Sequence, residues 1–416
     1  MLIVLALFIG MAASGVAATN GYPDPLLRSS EPAQVLRIEY EAVKLAAAPG
    51  RKWAGGTPLA HVRSGDMPGK GLPVPSALRA DTVKVRSGKR TLQQGADYIV
   101  NGIYGTLSLG SNSTVDADQT VLVSYEVGLR RLDSVIRQAD GLLTLRQGEA
   151  HLTAPEPPTL RPGETLVGNY FLDYFSRPEE AAWFPASAAP TEAATATASR
   201  GLERTLEKLR TGQPVKIVCW GDSITAGGDA SAPDRRYPAI FAELLRQRFP
   251  SAKIEVRTVA VGGSQSRQWL HPDQYPHPTV PKSCRFERVV ADRPDLITVE
   301  FINDAWMSPT AVDAAYTDIQ SRIAAEGAEM VLITPSFPFP EMMGTPDLRT
   351  SDRRPYVSAL KRFALSRHLA LADVSARWEH LWREGVPYVT LLKNGINHRD
   401  DRGHRIYAEE LLKCFP

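Results

Sequence analysis

The chain has 416 residues, enough for two to three domains at roughly 150 residues each. Lys and Arg number 48 against 46 Asp and Glu, so the net charge is only +2, which argues against nucleic acid as a partner. Hydrophobic residues at 43% and charged residues at 23% are ordinary globular usage and exclude extensive disorder or a polytopic membrane protein.

The chain opens on an apolar run, Leu2 to Ile9, followed by small residues and Val16-Ala17-Ala18. This pattern predicts a cleaved export signal over residues 1–18 and a secreted or periplasmic protein. The run is shorter than the roughly 20 residues of a spanning helix, so no stable membrane span is expected.

Residues 30–175 read as a β-rich accessory domain. Leu36, Ile38, Tyr40 and Ala42 alternate with charged residues, the period of a strand with one wet face. Further strands are expected at Thr82–Arg86, Asp97–Val100, Thr106–Leu109, Thr120–Val127 and Leu142–Leu145, separated by turn signals such as Asn101-Gly102. Their spacing suggests a small antiparallel sandwich-like module with no catalytic constellation, its tyrosines serving as core or cross-strand groups. Ala154-Pro155-Glu156-Pro157-Pro158 and residues 176–199, rich in Ala, Pro and Thr, read as connectors with little packing of their own.

From residue 200 to 416 helix and strand alternate. The strands Val215–Trp220, Lys253–Val261, Leu296–Phe301, Met330–Thr334 and Leu369–Val374 are largely apolar, as in a parallel sheet covered on both faces. Chemistry in such sheets sits beyond the carboxyl ends of the strands. Four positions there stand out: Ser223 in Gly221-Asp222-Ser223-Ile224-Thr225, Gly263 in Val261-Gly262-Gly263-Ser264, Asn303 in Phe301-Ile302-Asn303-Asp304, and His398 close to the C-terminus. A serine on a tight strand-to-helix turn exposes its hydroxyl, an imidazole can take its proton, and the backbone N–H groups of Ser223 and Gly263 with the Asn303 amide can hold an oxyanion. Asp222 reads as a group that orients the turn.

These four blocks, in this order over about residues 214 to 416, resemble the SGNH (GDSL) hydrolase superfamily. The resemblance implies a flavodoxin-like three-layer α/β/α hydrolase domain with Ser223 as nucleophile, His398 as base and Ser223, Gly263 and Asn303 as the oxyanion hole. The family places an aspartate three residues before the histidine, but Gly395 occupies that position here. Asn394, Asp400 and Asp401 are the candidate third members, with a Ser-His dyad as the alternative. The implied function is a secreted serine esterase removing O-acetyl groups from a carbohydrate. Two rivals stay open: a lipid or thioester hydrolase, and a carbohydrate-binding or surface protein with a decayed site. The loop Ser336–Thr345, with Phe337, Phe339, Met342 and Met343, would line either a sugar-facing wall or an acyl groove.

No cofactor or metal is implied. His271, Asp273 and His277 have no recognisable ligand spacing, and Ala226-Gly227-Gly228-Asp229 lacks the lysine of a phosphate-binding loop. Three cysteines are too few for a disulfide scaffold; at most one bridge, between Cys284 and Cys414, is expected.

Overall fold

The structure, a computed structural model, describes residues 27–47, 55–65, 67–187 and 199–416. The expected signal at 1–18 lies outside them.

The first half is antiparallel. Strands β1 (Val35–Lys44), β2 (Thr57–Pro58), β3 (Leu78–Ser87), β4 (Arg90–Thr91), β5 (Tyr98–Asn101), β6 (Thr106–Leu109) and β7 (Thr120–Gly128) build one sheet in the order β1-β7-β3-β4 and another in the order β2-β6-β5. In β7, Val121, Val123, Tyr125 and Val127 are buried while their neighbours face outward, so strict alternation makes one face of the module's own core.

A further sheet, β11-β10-β8-β9, is formed by β8 (Arg131–Arg137), β9 (Leu143–Arg146), β10 (Thr165–Leu172) and β11 (Ala182–Pro185). Strand β11 falls within the stretch 176–199 that reads as a connector. This sheet packs against the second half: Leu132, Phe171 and Phe184 are buried in the core of the C-terminal domain. The Asn169 amide also donates to the Gly385 carbonyl at 2.7 Å.

The C-terminal domain holds a parallel sheet of β12 (Val215–Gly221), β13 (Ile254–Ala260), β14 (Leu296–Glu300), β15 (Glu329–Ile333) and β16 (Ala370–Ala372), in the order β13-β12-β14-β15-β16. That 2-1-3-4-5 order is the flavodoxin-like one. Successive side chains point to opposite layers: Val215 and Ile217 enter one core with helices α2 (Tyr237–Arg248) and α9 (Asp401–Leu412), Val218 and Trp220 the other with α5 (Pro309–Ala325) and α7 (Pro355–Ser366). Burial on both faces is why these strands read as continuous apolar runs. The remaining helices are α1 (Glu203–Arg210), α3 (Ser266–Leu270), α4 (Glu287–Val290), α6 (Pro340–Met343) and α8 (Val374–His380).

Two expectations are corrected. Cys219, Cys284 and Cys414 are all free and buried; Cys284 and Cys414 sit in separate cores on opposite sides of the sheet, so no bridge joins them. The 154–158 segment is packed rather than loose: Ala154 is buried, and Arg402 donates to the Pro155 carbonyl at 3.3 Å.

Candidate active site

The site is built outward from the end of β12. Beneath it, Trp220 is clasped edge-on by Trp269, Phe286 and Phe301 with ring centroids 5.2 to 5.9 Å apart, which makes a rigid base. Asp222, fully buried, spends its carboxylate on three backbone and amide donors. Oδ1 accepts from Ile224 N at 3.1 Å and closes the turn that presents Ser223. Oδ2 accepts from Asn303 N at 3.0 Å and from Asn303 Nδ2 at 2.8 Å, tying the Ser223 turn to the loop after β14. An amide nitrogen carries two hydrogens, so Asn303 keeps one for a substrate. Burial raises the Asp222 carboxyl above its ordinary range, and the donors from Asn303 and Ile224 pull it back down.

Ser223 is 8% exposed. Gly262 runs beside it, so close that a Cβ there would stand 3.8 Å from the Ser223 Cβ. Among the described residues neither the Ser223 nor the Gly263 N–H has a hydrogen-bond partner, so both donors are uncommitted. His277 is buried over this glycine turn, its Nε2 3.1 Å from the Gly262 carbonyl, and so is part of the turn's support.

His398 comes from the loop before α9. Asn394 organises that loop: its Oδ1 accepts from the backbone N–H of Ile396, Asn397 and His398, each at 2.9 Å. Arg399, fully buried, pins the next residue by donating to the Phe337 carbonyl at 2.8 Å and to the carbonyl of Asn397. Burial lowers the Arg399 guanidinium to about 10.

The carboxylate that meets the imidazole is none of the three candidates. It is Asp229, whose Oδ2 lies 2.7 Å from His398 Nδ1. Asn394 is used up by the backbone. Asp400 caps α9 through Gly403 N at 3.0 Å and pairs with Arg402, while Asp401 holds Ser231 N at 2.8 Å. The sequence signal for Asp229 is inconspicuous: an acid six residues past Ser223, in the glycine-rich turn that fails as a phosphate loop.

Two glycines make room for this contact. A Cβ on Gly228 would lie 2.6 Å from His398 Nδ1, so only glycine lets the ring lie against the turn and reach Asp229. Gly395 has φ +73°, and a Cβ there would stand 3.0 Å from Val74 Cγ1, 3.4 Å from Pro75 Cδ and 3.5 Å from Thr153 Cγ2. The first half of the chain therefore fills the space that a side chain at position 395 would need. Asp229 itself adopts φ +62°, a conformation that Asp tolerates better than most residues. His404 steadies the turn from beneath by donating Nε2–H to the Gly228 carbonyl at 3.2 Å; burial lowers its imidazole to about 4, which keeps it neutral.

Residues 219–406 match the model of the GDSL-like lipase/acylhydrolase family. They form a GDSL-like hydrolase domain. No curated protein matches the chain. Similar solved structures include a two-domain esterase active on acetylated mannans, at 15% identity over 52% of this chain and 52% of that one, with a TM-score of 0.40. An acetyl xylan esterase matches at 18% identity over 47% of this chain and 98% of its own, TM-score 0.37. An acetylxylan esterase from Geobacillus stearothermophilus matches at 20% identity over 48% and 94%, TM-score 0.38. The match thus spans about half the length of the two-domain esterase. In this chain the GDSL-like domain keeps its serine, glycine, asparagine and histidine blocks at the carboxyl edge of the sheet. Among the described residues no group of His, Cys, Asp or Glu is arranged to hold a metal, and no helix is long and apolar enough to cross a membrane.

Proposed function

We propose that the protein is an exported serine esterase that removes O-acetyl groups from a carbohydrate, with Ser223, His398 and Asp229 as its catalytic triad. The His398–Asp229 contact at 2.7 Å carries this reading, because a decayed site has no reason to keep a carboxylate on the imidazole. Asp229 accepts Nδ1–H and so leaves Nε2 free to act as base. Ser223 Oγ attacks the acetyl carbonyl as its proton passes to His398 Nε2. The oxyanion takes the N–H groups of Ser223 and Gly263 and the spare hydrogen of Asn303 Nδ2. Collapse expels the sugar oxygen, which receives the proton from His398; water then repeats the sequence on the acetyl-serine and releases acetate.

The surroundings favour a small acyl group on a polar alcohol. The Asp229 and His398 side chains are 39% and 21% exposed, so the pair opens toward solvent. Phe337 is buried in the domain core and so is withdrawn from any acyl groove, while Phe339, edge-on to Tyr104 of the first half with centroids 6.3 Å apart, lines a cavity that includes none of Ser223, His398 and Asp229. Export, which the apolar run Leu2–Ile9 supports, would bring the enzyme to polymeric substrates.

The test is hydrolysis of p-nitrophenyl esters of rising chain length, together with acetate release from acetylated oligosaccharides, using Ser223→Ala as control. Acetate should be the best acyl group, and Ser223→Ala should keep only a small residual rate. Preference for long acyl chains would overturn the reading.

A further inference from the structure

A cleft of about 890 Å3 opens beside Asp229, between the two halves of the chain. One wall is the segment 147–159, which follows β9; the other is the nucleophile loop at 229–231 with residues 393 and 400–402. Its volume lies within the roughly 300–1,000 Å3 of ordinary ligand sites. The first wall is preset rather than loose. Gly148 N donates to Asp133 at 3.2 Å, the His151 ring accepts from Thr153 N and Ala154 N at 3.0 and 2.9 Å, and Thr153 is fully buried. The opposite wall is clamped by the Asp401 contact to Ser231. Because Asp229 lines the cleft and also bonds to His398, a ligand lying there runs alongside the catalytic pair.

The lining is polar and acidic. Glu149, Glu156, Asp229, Asp400 and Asp401 face two cations, Lys393 and Arg402. Asp229 and Asp400 are already engaged, with His398 and Arg402. Glu149 and Glu156 are exposed and make no hydrogen bond or ion pair among the described residues. Carboxylates accept strongly from hydroxyl groups and repel other carboxylates. Pro157 and Pro158 add an apolar patch suited to the C–H face of a sugar ring.

Resting on the esterase reading above, we propose that this interdomain cleft holds the sugar chain of a neutral or amine-bearing acetylated glycan, and that Glu149 and Glu156 both bind its hydroxyls and turn away uronate-bearing chains. The accessory half then supplies specificity and leaves the bond-breaking to the GDSL-like domain.

The test compares the full-length enzyme with the double variant Glu149→Lys/Glu156→Lys on three substrates at low salt: p-nitrophenyl acetate, acetylated xylo- and manno-oligosaccharides, and acetylated oligogalacturonates. The native enzyme should favour the neutral oligosaccharides over the anionic ones by at least about tenfold in kcat/KM. The double variant should raise KM on the neutral oligosaccharides about five- to tenfold and improve on the anionic ones, with p-nitrophenyl acetate changed less than about twofold. High salt should shrink the native preference. If the double variant matches native kinetics on both glycans, or the native enzyme prefers the anionic one, the cleft assignment falls while the esterase reading stands. If the native enzyme cleaves p-nitrophenyl acetate but no acetylated glycan, the carbohydrate reading fails and takes the cleft's ligand with it.

Discussion

Replacing Asp229 tests the relocated acid directly. Its single contact with the imidazole is a 2.7 Å bond between a carboxylate and a ring nitrogen, the kind worth about 1.5–3 kcal/mol. With the Asp229 side chain 39% exposed, solvent screening places the loss in the lower half of that range, about 2 kcal/mol. At about 1.4 kcal/mol per factor of ten, Asp229→Ala should lower kcat roughly 30-fold. Asp229→Asn should be milder, about fivefold: Asn also tolerates φ +62°, and among the described residues the Asp229 carboxylate has no other partner forcing the amide to turn its nitrogen toward the ring. KM should change little in either variant, since Asp229 acts through His398 during bond breaking. Steady-state kinetics on p-nitrophenyl acetate, repeated in a Ser223→Ala background, is the assay. In that background removing Asp229 should cost nothing further, because members of one triad are not additive. Retention of more than half of kcat by Asp229→Ala, or losses that multiply across the two backgrounds, would refute the triad.

Gly395→Asp restores the family's residue at its usual position but meets Val74, Pro75 and Thr153 at a positive φ; it should destabilise the protein by about 2–4 kcal/mol in denaturant unfolding and fail to rescue Asp229→Ala. Asp304 is buried behind the site, accepting from Ser266 N at 3.1 Å, and burial pushes its carboxyl up to about 7. A raised carboxyl favours the folded state at low pH, so its contribution is fully present below about pH 4 and lost as pH rises through about 7, an effect of up to about 4 kcal/mol. Thermal unfolding across pH 4–8 should show Asp304→Asn gaining on the native protein as pH rises. All three cysteines should react with alkylating reagent after unfolding without reductant, and none in the native protein, as read by mass spectrometry.

The parallel sheet and four of the site's blocks were legible because each depends on local pattern: an apolar run, then a turn of small polar residues at its carboxyl end. Strand β8 was missed for an opposite reason. It reads Arg-Leu-Asp-Ser-Val-Ile-Arg, yet Arg131 and Asp133 are buried by pairing with each other at 2.8 Å, a charged pattern that ordinarily signals a wet surface. Asp229 escaped because its partner lies 169 residues away, and no periodicity announces such a contact. Asn394, Asp400 and Asp401 were attractive for their nearness in sequence to His398, but each is spent on backbone, cap or loop. Proline richness at 154–158 likewise suggested a tether where the chain is wedged between two domains.

The packing of Val74, Pro75 and Thr153 against Gly395 also bears on how this protein can change over time. The loop that carries the histidine is packed against residues more than two hundred positions earlier, so the front half is not a detachable passenger. Exchanging it for another accessory module would leave an empty space at Gly395 and take Leu132, Phe171 and Phe184 out of the core they share with the C-terminal domain. A workable chimera has to carry that contact surface with it, and natural variants at Val74 should be tolerated only alongside matching changes in the 394–398 loop.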